Sequence, residues 1–140
     1  MRIVLDTNIV LSAVLWQGTP HHLLKAIRQQ PGVQLYSSMA LIEELADVLT
    51  RDSASKRLAL IGKTAREALT DYVEAIELVE PIEVLRVVAG DVDDDQVIAA
   101  AVAARANLIV SGDRKHLLPM GSHQGIAIVE AVEALRRLAV

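Results

Sequence analysis

Short continuous apolar runs take turns along this chain with stretches of helical period. Arg2-Ile-Val-Leu5 is a short run, apolar from Ile3 onward, that reads as an interior parallel strand stopping at Asp6. Helical spacing follows from Ile9 to Trp16. Thr19 as N-cap with Pro20 in the first turn predicts a second helix through Gln30, closed by Pro31-Gly32. Val33–Tyr36 reads as the second strand. Ser37 or Ser38 then caps a helix from Met39 to Leu49, where Leu41, Ile42, Leu45, Val48 and Leu49 share one face. Arg51–Gly62 predicts a short helix, and the capping box Thr64-Ala-Arg-Glu67 opens another that runs to about Glu77. One or two short strands fall within Leu78–Val88, around Pro81.

The last third repeats the alternation. Asp94 reads as the cap of an alanine-rich helix from Asp95 to Arg105, followed by an apolar strand, Asn107–Ser111, that ends at Gly112-Asp113. Gly125–Val129 is the final short strand, before a helix to about Leu138. Strands alternating with helices predict right-handed crossovers and a parallel sheet covered on both faces, a three-layer α/β/α sandwich. No linker, repeat or low-complexity block interrupts the pattern, so residues 1–140 are expected to form one domain.

Composition narrows the chemistry. The chain is 52% apolar and 23% charged, which excludes disorder, because the apolar surface suffices to offset ordering entropy. It has no cysteine, so a metal must be held by oxygen or imidazole ligands; a cytoplasmic location is expected, and a reducing compartment is compatible with that absence without being shown by it. The longest apolar run, Val97–Ala104, falls far short of the ~20 residues of a membrane span, and Asp6 breaks any signal-peptide core. Aromatic residues amount to Trp16, Tyr36 and Tyr72, too few for a sheet of base-stacking rings. A net charge of −4 excludes a globally basic footprint and turns attention to the acids.

In an open parallel α/β sheet, ligands bind beyond the carboxyl ends of the strands. Asp6 and Asp113 each follow a strand, while Glu44 and Asp94 lie near the starts of helices at the same edge. Asp91, Asp93 and Asp95 crowd the same region. Two carboxylates ~4 Å apart repel by about 4 kcal/mol at an effective dielectric of about 20. Their convergence therefore asks for a cation or a retained proton. Mg²⁺ or Mn²⁺ with retained waters suits an all-carboxylate notch, and such an ion is the usual apparatus of phosphoryl transfer.

At these same positions the chain resembles the PIN-domain ribonucleases, most closely the small VapC-like toxins of toxin–antitoxin pairs. Leu5-Asp6-Thr7-Asn8 is similar to the family's first motif and Leu41-Ile-Glu-Glu-Leu-Ala-Asp-Val-Leu49 to the second. Asp91-Val-Asp-Asp-Asp-Gln-Val-Ile-Ala-Ala100 is similar to the third and Ile109-Val-Ser-Gly-Asp113 to the fourth. Each motif is weak alone; four in order across nearly the whole chain are specific. The resemblance implies a sheet of about five parallel strands in the order 3-2-1-4-5. It implies that Asp6, Glu44, Asp94 and Asp113 are catalytic metal ligands, and that Thr7, Asn8 and Ser111 hold carboxylates by hydrogen bonds. Asp95 stands where the family more usually has asparagine, so Asp91, Asp93 and Asp95 remain alternatives to Asp94. The implied activity is Mg²⁺- or Mn²⁺-dependent endonucleolytic cleavage of RNA, leaving a 5′-phosphate and a 3′-hydroxyl. The implied partners are the RNA substrate, a cognate antitoxin and a second copy of the chain, with no membrane.

Taken singly, each acid has an ordinary explanation. Asp6 suits a turn, Glu44 a solvated helix face, Asp94 an N-cap, Asp113 a loop, and the 91–95 run an acidic loop. Joint placement favours a metal site. Two other classes remain as alternatives: an acidic-pocket phosphatase or phospho-acceptor domain, and a non-catalytic RNA- or protein-binding module. The first would want an Asp two residues after Asp6, where Asn8 stands. His21, His22, His116 and His123 read as surface residues, with His116 and Arg114-Lys115 near enough to Asp113 to meet RNA phosphate. Arg51, Lys56, Arg57, Lys63 and Arg66 fit either ordinary surface charge or a phosphate-tracking rim, and Trp16 fits packing or an interface anchor.

Overall fold

The computed structural model of the protein describes residues 1–82 and 92–139. Strand β1 (Arg2–Leu5) is followed by helices α1 (Thr7–Leu15) and α2 (Thr19–Gln29), then by β2 (Gln34–Ser37). Three helices come next, α3 (Met39–Leu49), α4 (Asp52–Leu60) and α5 (Ala65–Ala75), leading to the two-residue strand β3 (Glu77–Leu78). The remainder is α6 (Val92–Ala104), β4 (Leu108–Val110), α7 (Leu117–Met120), β5 (Ser122–His123), β6 (Ile126–Val129) and α8 (Ala131–Leu138).

The strands order as β3-β2-β1-β4-β6-β5. All pairings are parallel except the edge pair β5–β6. The five expected strands thus stand in the expected order, with β6 as the fifth and β5 as an added antiparallel edge. Within the region expected to hold strands around Pro81, Glu77–Leu78 pairs with β2, and positions 83–88 lie outside the described residues.

Strand alternation divides the core into two layers. Ile3 and Leu5 of β1, Leu35 of β2, and Leu108 and Val110 of β4 join the side chains of α1–α5 and α8. The intervening Val4, Tyr36 and Ile109, with Ile126 and Ile128 of β6, pack against α6 and α7. Helices on both faces explain why β1 from Ile3 onward and all of β4 are apolar rather than alternating with polar residues. Burying each such large side chain contributes about 1.5–3 kcal/mol relative to exposure.

Local chemistry sets the helix starts. Ser38 caps α3, its hydroxyl accepting from the Leu41 N–H at 3.4 Å, and the Thr64/Glu67 capping box is complete at α5. Three starts differ from expectation. Helix α1 begins at Thr7, because the Asp6 carbonyl already accepts from the N–H groups of Ile9 and Val10, at 3.0 and 3.2 Å. Gly18 rather than Thr19 precedes α2, which puts Pro20 in the first turn, where its missing N–H is harmless. Helix α6 begins at Val92, so Asp94 is not its cap but lies within its first turn. Carboxylates there are favoured by the positive end of the helix dipole, which permits the helix to extend back through the acidic run.

Candidate metal centre at the carboxyl edge

Asp6 ends β1 at the middle of the sheet and is buried. Its backbone is held on both sides, with its N–H donating to the Val110 carbonyl at 2.9 Å and its carbonyl starting α1. Its side chain makes no cap bond to α1. Instead Oδ2 accepts from the Ser111 hydroxyl at 2.8 Å, and the same Ser111 Oγ accepts from the Asp113 N–H at 3.0 Å. One fully buried hydroxyl therefore ties the end of β1 to the loop after β4. Ser111 has the orienting role implied for it.

Asp113 is half-buried, and its carboxylate is anchored by the backbone that follows. Oδ1 accepts from the N–H groups of Lys115 and His116 at 2.9 and 3.1 Å, and Oδ2 from Leu117 at 3.3 Å. Partial desolvation pushes its pKa upward, but a hydrogen bond with Asp94 and the three backbone N–H groups outweigh that and leave it below the ordinary carboxylate value. These bonds wind residues 114–117 into the turn that starts α7, and the turn carries His116 back over the acids.

His116 Nδ1 lies 3.6 Å from Asp94 Oδ2 and 3.7 Å from Asp113 Oδ2. Asp94, Asp113 and His116 each offer a ligand atom, and these atoms lie within 4.8 Å of one another. This corrects the expectation that His116 is a surface residue; it is a member of the cluster. The i, i+3 spacing of Asp113 and His116, immediately after an apolar strand, was the signal that could have revealed it. Arg114, next to Asp113 in sequence, extends to Glu130 at 3.2 Å.

The other expected residues are placed as follows. Glu44 lies in the second turn of α3, half-buried, on a helix that packs against both α1 and α6. Asp95 is buried beside Asp94 in the first turn of α6. Asp91 and the Asp93 side chain lie outside the described residues. Asn8 is exposed and faces a groove along α1 rather than the sheet. Thr7, next to Asp6, is buried, and its hydroxyl has no hydrogen-bond partner among the described residues.

A divalent cation fits this arrangement. Two carboxylates and an imidazole converge, Asp6 is tied through the Ser111 hydroxyl to the Asp113 backbone N–H, and the buried Thr7 hydroxyl next to Asp6 has no hydrogen-bond partner among the described residues. Hard oxygen donors select Mg²⁺ or Mn²⁺, and the imidazole nitrogen is better suited to Mn²⁺.

The chain is similar in structure to VapBC2 from Rickettsia felis bound to a DNA fragment from their promoter, at 14% identity and a TM-score of 0.64. That match covers 91% of this chain and 97% of the other. It is also similar to VapBC-1 from nontypeable Haemophilus influenzae, at 15% identity and a TM-score of 0.61, covering 94% and 99% of the two chains. No curated protein sequence matches the chain. Identities this low establish a common fold, and the family follows from sequence: the model of the PIN domain matches residues 2–115, a span that holds Asp6, Glu44, Asp94 and Asp113. The chain belongs to the PIN domain family.

Proposed function

We propose that residues 1–140 act as one Mg²⁺- or Mn²⁺-dependent endoribonuclease domain, the toxin of a type II toxin–antitoxin pair, with Asp6, Glu44, Asp94 and Asp113 as the metal-holding and catalytic residues. The observation that carries this reading is the convergence of Asp94, Asp113 and His116 ligand atoms within 4.8 Å at the sheet edge that also buries Asp6. An ion held there supplies acidified water and offsets the negative charge of a phosphodiester. The chain's own residues do the rest. Ser111 aims the Asp6 carboxylate, and the N–H groups of 115–117 keep Asp113 ionised and fixed. His116 Nδ1 faces both Asp94 and Asp113 and would help those carboxylates hold the ion. The similar structures are VapBC complexes, which supports a cognate antitoxin as protein partner, and a second copy of the chain is proposed from the family resemblance alone. An RNA target places the protein in the cytoplasm, and among the described residues no helix is long and apolar enough to cross a membrane.

The test is cleavage of single-stranded RNA by purified protein in Mg²⁺, with Asp6→Asn purified in parallel to account for contaminating ribonuclease. Wild type should cleave and leave 5′-phosphates, with chelator and Asp6→Asn both reducing cleavage to background. Equal cleavage by Asp6→Asn would reject the assignment, and RNA binding without turnover would favour a non-catalytic binding module.

A further inference from the structure

The sequence holds one tryptophan, and the fold leaves it in the open. Trp16 follows α1 directly and is 54% exposed. An indole that buries most of its area contributes to packing; one left half open is available to a ligand. Arg57 of α4 lies against it, with the guanidinium carbon 4.0 Å from the ring centroid. The same guanidinium is fixed from behind, because Nε donates to the Leu15 carbonyl at 2.8 Å. Its two terminal amino groups have no hydrogen-bond partner among the described residues. Arg57 is thus held rigidly while its phosphate-binding end stays unused.

These two side chains form one end of a groove of about 280 Å³ between α1, α3 and α4. Asn8, Leu11 and Leu15 line it along one face of α1; among the arginines that line it, Arg57 supplies the open positive charge, while Arg51 is paired with Asp47 at 3.0 Å. From Asn8 to Trp16 the helix rises about 12 Å. The Asn8 end lies two residues beyond Asp6 in the chain.

We propose that this groove is a subsite for unpaired RNA, in which one nucleobase stacks on the Trp16 face not covered by Arg57 and a neighbouring phosphate meets Arg57. The proposal rests on the ribonuclease reading and adds where the substrate lies. A flat aromatic surface paired with a fixed guanidinium matches a base and its phosphate, and base–aromatic stacking is tolerant of sequence. A duplex hides its base faces, so the subsite selects single strands. In a protein of net charge −4, a fixed arginine with an open terminal end is a local exception.

Because Trp16 is the sole tryptophan, its fluorescence reads this subsite directly. The experiment mixes wild-type protein with a short unpaired RNA oligomer in Mg²⁺ by stopped flow, following tryptophan emission before turnover and strand cleavage after it. The expected result is a saturable quench with the single strand and none with the matching duplex. Arg57→Ala and Trp16→Ala should each raise KM about tenfold with little change in kcat, whereas Trp16→Phe, which keeps a ring, should stay within about threefold of wild type. Cleavage with unchanged emission and unmoved KM in both alanine variants would overturn the subsite and leave the nuclease reading standing. A quench by RNA without any cleavage would support the subsite while the nuclease reading failed. Emission that responds to a protein partner but not to RNA would overturn the proposal and assign the groove to that protein.

Discussion

The two edges of the central sheet are built on opposite rules. At the amino edge, polar groups stay exposed and satisfy one another: Asn107 Oδ1 accepts from the Arg2 N–H at 2.8 Å, and Arg2 Nη1 donates to the Ala104 carbonyl at 2.9 Å. At the carboxyl edge they are buried. Every buried polar residue among the described ones, Asp6, Thr7, Ser37, Ser38, Asp94, Asp95 and Ser111, lies at a strand's carboxyl end or in the first turn of a helix there. Burying carboxylates near each other opposes folding, and nothing in the sheet's architecture demands it. The molecule accepts that penalty at one edge only, and this asymmetry separates the site from the scaffold.

Substitutions should divide along the same line. The largest effects are expected at the acids: Asp94→Asn should reduce RNA cleavage to background. Because the asparagine amide can still donate a hydrogen bond to Asp113, the melting temperature measured in chelator should change little. A lowered melting temperature in chelator would show that Asp94 serves the fold instead. Ser111→Ala, which releases Asp6 without removing a charge, should lower activity or metal affinity by about 10- to 100-fold. Metal titration monitored by calorimetry checks this.

On the scaffold side, Ile109→Ala should cost about 2–5 kcal/mol in denaturant unfolding, since Ile109 is fully buried in the α6 layer. Asn107→Ala should cost only about 1 kcal/mol and leave cleavage intact. If Asn107→Ala abolished activity, the division between the edges would fail.

The smallest expected effect is a pH dependence at α8. Glu133 accepts hydrogen bonds from Arg136 and Arg137, which hold its pKa near 2 against an ordinary 4.5. A depressed carboxylate pKa stabilises the fold above the unfolded value and loses that contribution as pH falls towards 2. Glu133→Gln should therefore flatten the decline in melting temperature between about pH 4.5 and 2, and the difference should shrink with added salt because the pair is exposed.

How much of this could be read from the sequence follows from the range of the interactions involved. The end of β1 at Asp6, the Ser38 cap and the Thr64/Glu67 box are local, each written within a few residues, and the strand order came with the family resemblance. Asp94 was misread as a cap because an Asp before an alanine-rich helix looks the same whether the helix starts after it or three residues earlier. Whether the first turn continues back to Val92 depends on tertiary placement. His116 was missed because it reaches the acids through a turn that Asp113 itself organises. Strand β5 exists only through its pairing with β6 and has no pattern of its own at two residues.

The central claim is that the buried acids are a divalent-cation centre rather than an accident of the edge. Titration of Mn²⁺ into the metal-free protein, followed by isothermal calorimetry, tests it most directly. Saturable binding in wild type that is lost in Asp6→Asn and in Asp94→Asn, with Asn107→Ala unchanged, is the predicted result. Equal binding by wild type and both acid variants, or none by wild type, would contradict it.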